Sequence, residues 1–271
     1  MLDMLDHIVK ARKALGKMHL RFRKARNSIE QFIPLVVRDD HGDPLILAEM
    51  HNQWFAHVRY CWENNYHAII MAHFGSGKSS SLAVPLVCFA LGHDQNLRVK
   101  VVTNDDSSAR KRVNACKRVL ESQAYRNVFT LVQRGDKWTE HELYLCRKGS
   151  AIDPTVQARG VMSTGIGSRA DIIVFDDVCD QRNSTDVLQR NKVLSVVEET
   201  WLSRLEPDGH VLLIGTPWHI SDAAHNLMRR SGWCSLVQKV SEDCTCIEQE
   251  VIGAAAPGYP IVANAAASNV G

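Results

Sequence analysis

The sequence predicts an α/β fold with a mostly parallel central sheet, flanked by helices and preceded by an N-terminal helical extension. Three continuous apolar runs, at 68–71, 172–175 and 211–214, are typical of strands buried on both faces of a sheet. Helical patterns separate these runs, as the connections between parallel strands require. Each run ends at glycine or polar residues, and ligands of open α/β sheets bind at such strand ends.

The composition is that of a globular protein with a substantial core. The chain has 271 residues, of which 45% are apolar, enough for one large domain or one domain with a small extension. No apolar run approaches the ~20 residues that cross a bilayer, and the first residues lack the apolar segment of a secretion signal. With no such run, we expect no membrane partner. The eight cysteines form no framework of close pairs, which indicates reduced thiols in a cytosolic protein.

Residues 1–43 are predicted to form a basic helical extension that ends at the turn signal Gly42-Asp43-Pro44. Between Lys10 and Arg26 the chain carries eight cations and no acid. Apolar residues interleave with the cations at helical spacing, which indicates an amphipathic helix. Contact with DNA phosphates, contact with a neighbouring subunit and a solvated helix face all remain open from this pattern.

The core is predicted over residues 44–240, and residues 241–271 are predicted to be a linker or poorly ordered tail. Gly92 and Pro207-Asp208-Gly209 each follow a helical pattern and are predicted to end it. The predicted helices are, in order, 48–64, 78–91, 105–122, 185–205 and 221–230. Besides the three apolar runs, with the third predicted as a strand at 210–214, strands are predicted at 98–103 and 141–147.

The stretch from Ile69 to Ser80 has the pattern of a buried strand, a glycine-bearing loop and the start of a helix. Such a loop cradles the phosphates of a nucleoside triphosphate with successive backbone N–H groups. Against G-x-x-x-x-G-K-[ST], only the first glycine is replaced, by Ala72. The predicted nucleotide-binding residues are Gly75, Ser76, Gly77, Lys78, Ser79 and Ser80. Lys78 would reach the β- and γ-phosphates and the Ser79 hydroxyl would bind Mg²⁺, so ATP and Mg²⁺ are the expected cofactors.

Two further strand ends supply the remaining chemistry. The run 172–175 leads into Asp176 and Asp177, predicted to hold the metal ion and to polarise the attacking water as general base, respectively. The run 211–214 leads into Gly215-Thr216, and the Thr216 hydroxyl is predicted to sense the γ-phosphate and couple it to the next loop.

These segments, in this order and spacing, resemble the ATPase domain of the large terminase subunit of tailed bacteriophages. The resemblance is widest between Tyr66 and Trp233 and includes four further stretches. These are the strand-helix unit Arg98–Glu121 with its strand residues Val99–Asn104, then Gln157–Asp171, the residues Asp180, Asn183, Gln189 and Arg190, and Gly215–His219. Two departures are that His73-Phe74 stands where relatives often carry a basic residue, and that Asp177 stands where they often carry Glu.

The resemblance implies a P-loop NTPase of the additional-strand type that hydrolyses ATP to move double-stranded viral DNA into a procapsid. Its implied partners are double-stranded DNA, further copies of the chain in a ring on a portal, and a small terminase subunit. The implied location is the host cytoplasm. The segment after Gly232 is shorter than the usual ~50–200 residues of a domain, so we expect no nuclease activity from this chain.

The resemblance also suggests residues outside the three strand ends. Gln53, on the helix before the phosphate loop, occupies the place where an amide reads adenine, since an amide offers both a donor and an acceptor. Arg169 is the favoured candidate, with Arg159 as the alternative, for an arginine that completes the site of a neighbouring subunit. An ordinary ion pair of Arg169 with Asp171 or with the two acids remains open.

Two other functions fit the same motifs. A helicase-like or other DNA-dependent P-loop ATPase shares the loop and the pair of acids. A nucleotide-binding assembly module with little hydrolysis is favoured by Ala72 and by Asp177 in place of Glu.

Overall fold

The computed structural model describes residues 2–149, 152–163, 167–240 and 246–253. In this part of the chain nine strands form one sheet in the order β3-β4-β5-β2-β6-β7-β1-β8-β9. The strands are β1 His67–Met71, β2 Val99–Thr103, β3 Arg134–Trp138, β4 Glu142–Leu145, β5 Val156–Gly160, β6 Ala170–Asp176, β7 Leu205–Gly215, β8 Trp233–Val240 and β9 Cys246–Gly253.

Helices flank this sheet, and the first two of them form the N-terminal extension that precedes it in the chain. The helices are α1 Leu2–Asn27, α2 Ile29–Val36, α3 Glu49–Glu63, α4 Val84–His93, α5 Asp106–Glu121, α6 Gln123–Val128, α7 Gln181–Ser184, α8 Val187–Ser195 and α9 Ala223–Leu227. A π-helical segment, Lys78–Ala83, leads into α4, and a second one, Val196–Trp201, continues α8. None of the helices in the described residues is long and apolar enough to span a bilayer.

The sheet is mostly parallel, which confirms the predicted fold class. From β5 to β8 each neighbouring pair of strands is parallel, whereas β3, β4 and β9 pair antiparallel at the two edges. Strand β7 lies between β1 and β6, as the additional strand of the predicted type requires. Met71 pairs with Gly215 and Asp176 with Ile214, so the carboxyl ends of β1, β6 and β7 lie side by side.

The apolar runs are continuous because both faces of the sheet are covered. Ile70, Val174 and Leu212 belong to a core shared with α3, α4 and α5. Their neighbours along the strands belong to a second core on the opposite face, which includes Phe175 and the buried Trp201. Successive residues of a strand point to opposite faces, so each position of a central strand is apolar.

The predicted helices 78–91 and 185–205 end in the structure at His93 and Arg204, close to the predicted positions, but the two stop signals assigned to them have other roles. Gly92 lies within α4, and a Cβ atom there would lie 2.4 Å from the Phe129 ring, so close packing rather than helix termination needs this glycine. Pro207-Asp208-Gly209 lies within β7, where the pairing with β6 changes register between Ala170 and Ile172. A bulge of this kind accommodates a proline because the ladder is already interrupted.

The segment 241–271, predicted to be a linker or tail, includes β9, which pairs antiparallel with β8 at the edge of the sheet. Residues 241–245 and 254–271 lie outside the described residues. The basic helix predicted from Lys10 to Arg26 lies within α1, which ends where Arg26 donates to the carbonyl of Val128 at 2.5 Å and 2.9 Å.

Candidate active site

The phosphate loop, residues 72–77, joins β1 to the π-helical segment and depends on two glycines. Gly75 and Gly77 both have a φ of +79°, in the left-handed region that residues with a Cβ atom rarely adopt. A Cβ atom on Gly77 would also lie 2.9 Å from the Ser81 hydroxyl, whereas one on Gly75 would meet open space. Both glycines are thus needed for backbone geometry, and Gly77 is needed for space as well.

His51 ties this loop to α3. Its Nε2 atom lies 3.0 Å from the carbonyl oxygen of Ser76, and its Nδ1 atom accepts from the backbone N–H of Ala48 at 2.9 Å. Because Nδ1 accepts, Nε2 carries the proton and donates to Ser76. The imidazole is buried and contacts the Trp54 ring edge-on, so it holds the loop against the helix.

Lys78 is buried and folds back over the loop. Its Nζ atom donates to the carbonyls of Ala72 and His73 at 2.9 Å and 2.8 Å and to the Thr216 hydroxyl at 3.1 Å. Burial lowers the pKa of Lys78, and the charges of Asp177 and Asp176 act in the opposite direction. The ammonium group therefore lies between the loop, the end of β7 and the two acids, where a phosphate charge would be compensated.

Ser79 and Asp176 are in direct contact. The Ser79 hydroxyl donates to Asp176 Oδ1 at 2.9 Å, which joins the helix start after the loop to the end of β6. The carboxylate of Asp176 is fully buried, and its Oδ2 atom accepts from Nε of Arg112 on α5. A hydroxyl and a carboxylate oxygen are hard ligands of the kind that Mg²⁺ binds together with phosphates and waters. These residues fit the cation that the motif predicts.

Asp177 follows at the end of β6 with a φ of +50°, which is uncommon for a residue other than glycine. Its backbone N–H donates to the carbonyl of Ile214 and its Oδ1 atom accepts from the backbone N–H of Thr216 at 3.1 Å. Burial raises the pKa of the Asp177 carboxyl, the adjacent charge of Asp176 raises it further, and Lys78 opposes both. A raised pKa makes a carboxylate a better proton acceptor, as a general base requires.

The neighbouring strand ends are linked by a second polar contact. Asn104, after β2, donates from Nδ2 to Asp180 Oδ2 at 3.0 Å. Asp180 also begins α7, because its other carboxylate oxygen accepts from the backbone N–H of Asn183. The loops after β2 and β6 are thereby fixed to each other beside the site.

No hydrogen bond or ion pair in the described part of the chain links the remaining predicted residues, Gln53, Arg159 and Arg169, to this cluster. Gln53 is half-buried on α3, two residues after His51. Arg169 is exposed immediately before β6, at the opposite end of that strand from Asp176, and its Nη1 atom lies 3.8 Å from Glu206 Oε2. Arg159 lies near the carboxyl end of β5. Its Nη2 atom is 3.5 Å from Glu142 Oε1. Seven residues of strand correspond to ~20 Å, so Arg169 and the phosphate loop lie at different ends of the sheet.

Sequence reasoning missed His51 and Arg112. Arg112 belongs to the basic group Arg110-Lys111-Arg112, whose composition favours a solvated helix face. On α5, however, Arg112 lies beside the buried stripe formed by Ala109, Val113 and Cys116. It is three residues after Ala109 and four residues before Cys116, so it shares a side of the helix with both. That position beside the apolar face was the signal that Arg112 could point toward the sheet.

The fold is that of a P-loop NTPase, with this cluster at the carboxyl ends of β1, β6 and β7. No family model and no curated protein matches the sequence. The solved structure of the HK97 bacteriophage large terminase is similar to that of this chain, with a TM-score of 0.53 and 13% sequence identity. The match covers 75% of this chain and 40% of that chain. At this identity the similarity is evidence for the fold, and the fold is that of a terminase ATPase-like domain.

A DEAD box protein from Methanococcus jannaschii was also found, with a TM-score of 0.40 and 14% identity over 69% of this chain and 52% of that chain. That score is too low to support an argument about this chain.

Proposed function

We propose that this chain is an ATP-hydrolysing motor domain that powers the translocation of double-stranded viral DNA into a procapsid. The observation that carries the ATPase part is the contact between Ser79 and Asp176, with Lys78 beside it. This contact brings the phosphate loop and the buried acid of β6 to one point, where Mg²⁺ and the β- and γ-phosphates would be held.

The residues would divide the work as follows. Backbone N–H groups of the loop and Lys78 bind phosphate oxygens, together with the hydroxyls of Ser76, Ser79 and Ser80. Ser79 and Asp176 would hold Mg²⁺, whose charge would compensate that of the phosphates. Asp177 orients and deprotonates the attacking water. Its Oδ1 atom accepts from the Thr216 N–H, so a shift of Asp177 on loss of the γ-phosphate would also move the end of β7 and the loop after it.

The finer parts of the proposal rest on resemblance to the terminase family. They comprise adenine recognition by Gln53, completion of a neighbouring site by Arg169, a ring of copies on a portal, and a small terminase subunit as partner. The solved terminase is a large terminase by its name, and the chain spans 40% of its length. The same site would serve a helicase-like ATPase equally well.

A phosphate-release assay with and without double-stranded DNA tests the proposal. We expect Mg²⁺-dependent ATP hydrolysis that double-stranded DNA stimulates, and no displacement of an annealed strand. Strand displacement driven by ATP would favour the helicase-like alternative. Nucleotide binding without hydrolysis under any of these conditions would favour the assembly module.

A further inference from the structure

The carboxylate of Asp176 is satisfied from two sides in the structure. It is fully buried, Oδ1 accepts from Ser79 and Oδ2 accepts from Arg112. A buried carboxylate is costly unless a positive charge and hydrogen bonds compensate it. Lys78 donates its hydrogen bonds to Ala72, His73 and Thr216. The cation that forms an ion pair with Asp176 is therefore Arg112.

The geometry of α5 explains how Arg112 reaches this acid. The helix begins directly after β2, with Asp105 as its N-cap, and so starts at the carboxyl edge of the sheet where Asp176 lies. Long side chains on a helix point back toward its N-terminus, which directs Arg112 to that edge. The buried residues Ala109 and Val113 fix the helix, while the Arg112 side chain keeps 29% of its surface exposed. Arg112 thus has an open path to solvent.

A divalent cation held by Ser79 and Asp176 would lie next to the guanidinium of Arg112. Two positive groups in contact with one buried carboxylate repel each other. The cation needs the Asp176 oxygens or the waters around them, and Arg112 holds one of these oxygens. Because Arg112 holds Oδ2 and the repulsion acts between both cations, Arg112 and hydrated Mg²⁺ oppose each other at this carboxylate.

We propose that Arg112 is the internal counter-ion of Asp176 in the nucleotide-free protein, a positioning residue that leaves the carboxylate when Mg²⁺ binds with nucleotide. The proposal rests on the proposed function, because it assumes that Mg²⁺ and nucleotide bind at this site. It predicts that Arg112 sets how much Mg²⁺ the site needs, through competition for Asp176.

The test is the affinity for ADP as a function of free Mg²⁺, followed with a fluorescent ADP analogue so that turnover plays no part. In Arg112→Gln the half-saturating Mg²⁺ concentration should fall about tenfold, the scale of one lost charge-assisted hydrogen bond. Affinity for ADP without Mg²⁺ should change by less than about twofold, since the competition concerns only the cation. Arg112→Lys, which keeps the charge, should remain close to the wild-type protein.

Arg110→Gln is the matched control. It removes the same charge from the same helix, but Arg110 pairs with Glu140 at 3.1 Å rather than with Asp176. An equal Mg²⁺ dependence in Arg112→Gln, Arg110→Gln and wild type would overturn the inference while leaving nucleotide binding intact. Absence of ADP binding by the wild-type protein at every Mg²⁺ concentration would overturn the proposed function together with it.

Thermal unfolding provides a second measurement that does not depend on nucleotide. Without Mg²⁺, Arg112→Gln should lower the melting temperature because Asp176 is left buried without its counter-ion. Adding Asp176→Asn should recover most of that loss, since the uncompensated charge is then gone. If Arg112→Gln fails to fold, the melting temperatures of Arg112→Lys and of the double variant Arg112→Gln/Asp176→Asn still test the counter-ion role, because both should fold. If the double variant is no more stable than Arg112→Gln, the counter-ion role is wrong.

Discussion

At the scale of single residues, two unusual features of the site meet at Asp177. Asp177 has a left-handed backbone conformation where the chain leaves β6. The pKa of its carboxyl is raised by burial and by the adjacent charge of Asp176. Asn and Asp adopt this backbone region more readily than other residues with a Cβ atom. Asp177 is therefore the acid whose role can be tested with the least disturbance of the loop.

Binding and turnover should separate between Lys78 and Asp177. Lys78→Ala should weaken ATP binding and abolish hydrolysis, because it removes the charge that we propose faces the β- and γ-phosphates. Asp177→Asn should keep ATP binding and lose about 10²–10⁴-fold in kcat, the usual contribution of a general base. Equilibrium binding and phosphate release measured on both variants check this, and equal losses of binding would contradict the two roles.

Asp177 should also lower the stability of the nucleotide-free protein at neutral pH. A carboxyl whose pKa is raised by folding destabilises the folded state while it is ionised, and the penalty is relieved as pH falls through the folded pKa. Asp177→Asn should therefore melt at a higher temperature than wild type at pH 7, with the difference shrinking toward the ordinary pKa near 3.8.

Asp177→Ala is the control for that comparison. It removes the same charge but also loses the Oδ1 acceptor for Thr216 and tolerates the φ of +50° less well. A melting temperature of Asp177→Asn equal to wild type across the pH range would show that the charge at this position carries no stability cost.

At the scale of elements, the phosphate loop is held from several sides. His51 ties it to α3, Lys78 ties it to β7, and Ser79 ties the following helix start to β6. The two glycines let the backbone turn between these attachments. Gly75 and Gly77 have the same φ but different surroundings. Substituting each in turn therefore distinguishes the cost of backbone strain from the cost of a steric clash.

Gly77→Ala should harm the loop more than Gly75→Ala. Both substitutions place a Cβ atom in the left-handed region, at a cost of about 1–2 kcal/mol. Only at position 77 would the new atom lie 2.9 Å from the Ser81 hydroxyl. Thermal unfolding and ADP affinity of the two variants should show a larger loss for Gly77→Ala, and equal losses would mean that Ser81 moves aside freely.

At the scale of the whole molecule, the positions of the candidate arginines constrain assembly. Arg169 lies at the amino edge of the sheet, whereas the phosphate loop and Arg159 lie at the carboxyl edge. For Arg169 to complete a neighbouring site, the amino edge of one copy must face the carboxyl edge of the next. Such a contact is head-to-tail and is compatible with a ring.

Mixing defective chains tests whether an arginine acts between copies. If Arg169 acts on a neighbour, Arg169→Ala mixed with Lys78→Ala should recover part of the ATPase activity, since each copy supplies what the other lacks. The specific activity of the wild-type chain should also rise with protein concentration. An arginine of this kind is worth ~10³–10⁵ in kcat, so recovery should be easy to detect.

Arg159→Ala mixed with Lys78→Ala is the parallel experiment. Recovery in this mixture alone would assign the role to Arg159. No recovery in either mixture, together with activity that does not depend on concentration, would contradict an arginine acting between copies.

The sequence by itself determined the fold class, the phosphate loop and the two acids at the end of β6. These features are local: a continuous apolar run marks a buried strand, and the residues that follow it are fixed at the strand's end by covalent geometry. Sequence reasoning assigned Gly92 and Pro207-Asp208-Gly209 to helix termination, whereas Gly92 makes room for Phe129 and Pro207-Asp208-Gly209 lies at a bulge within β7.

Only the tertiary structure decided which distant groups meet. It placed β7 between β1 and β6, brought Arg112 to Asp176 across 64 residues of sequence, and put Arg169 at the edge opposite the loop. The order of strands and the direction of a helical side chain depend on contacts between segments far apart in the chain. No local pattern encodes such contacts, because each segment would look the same beside a different neighbour.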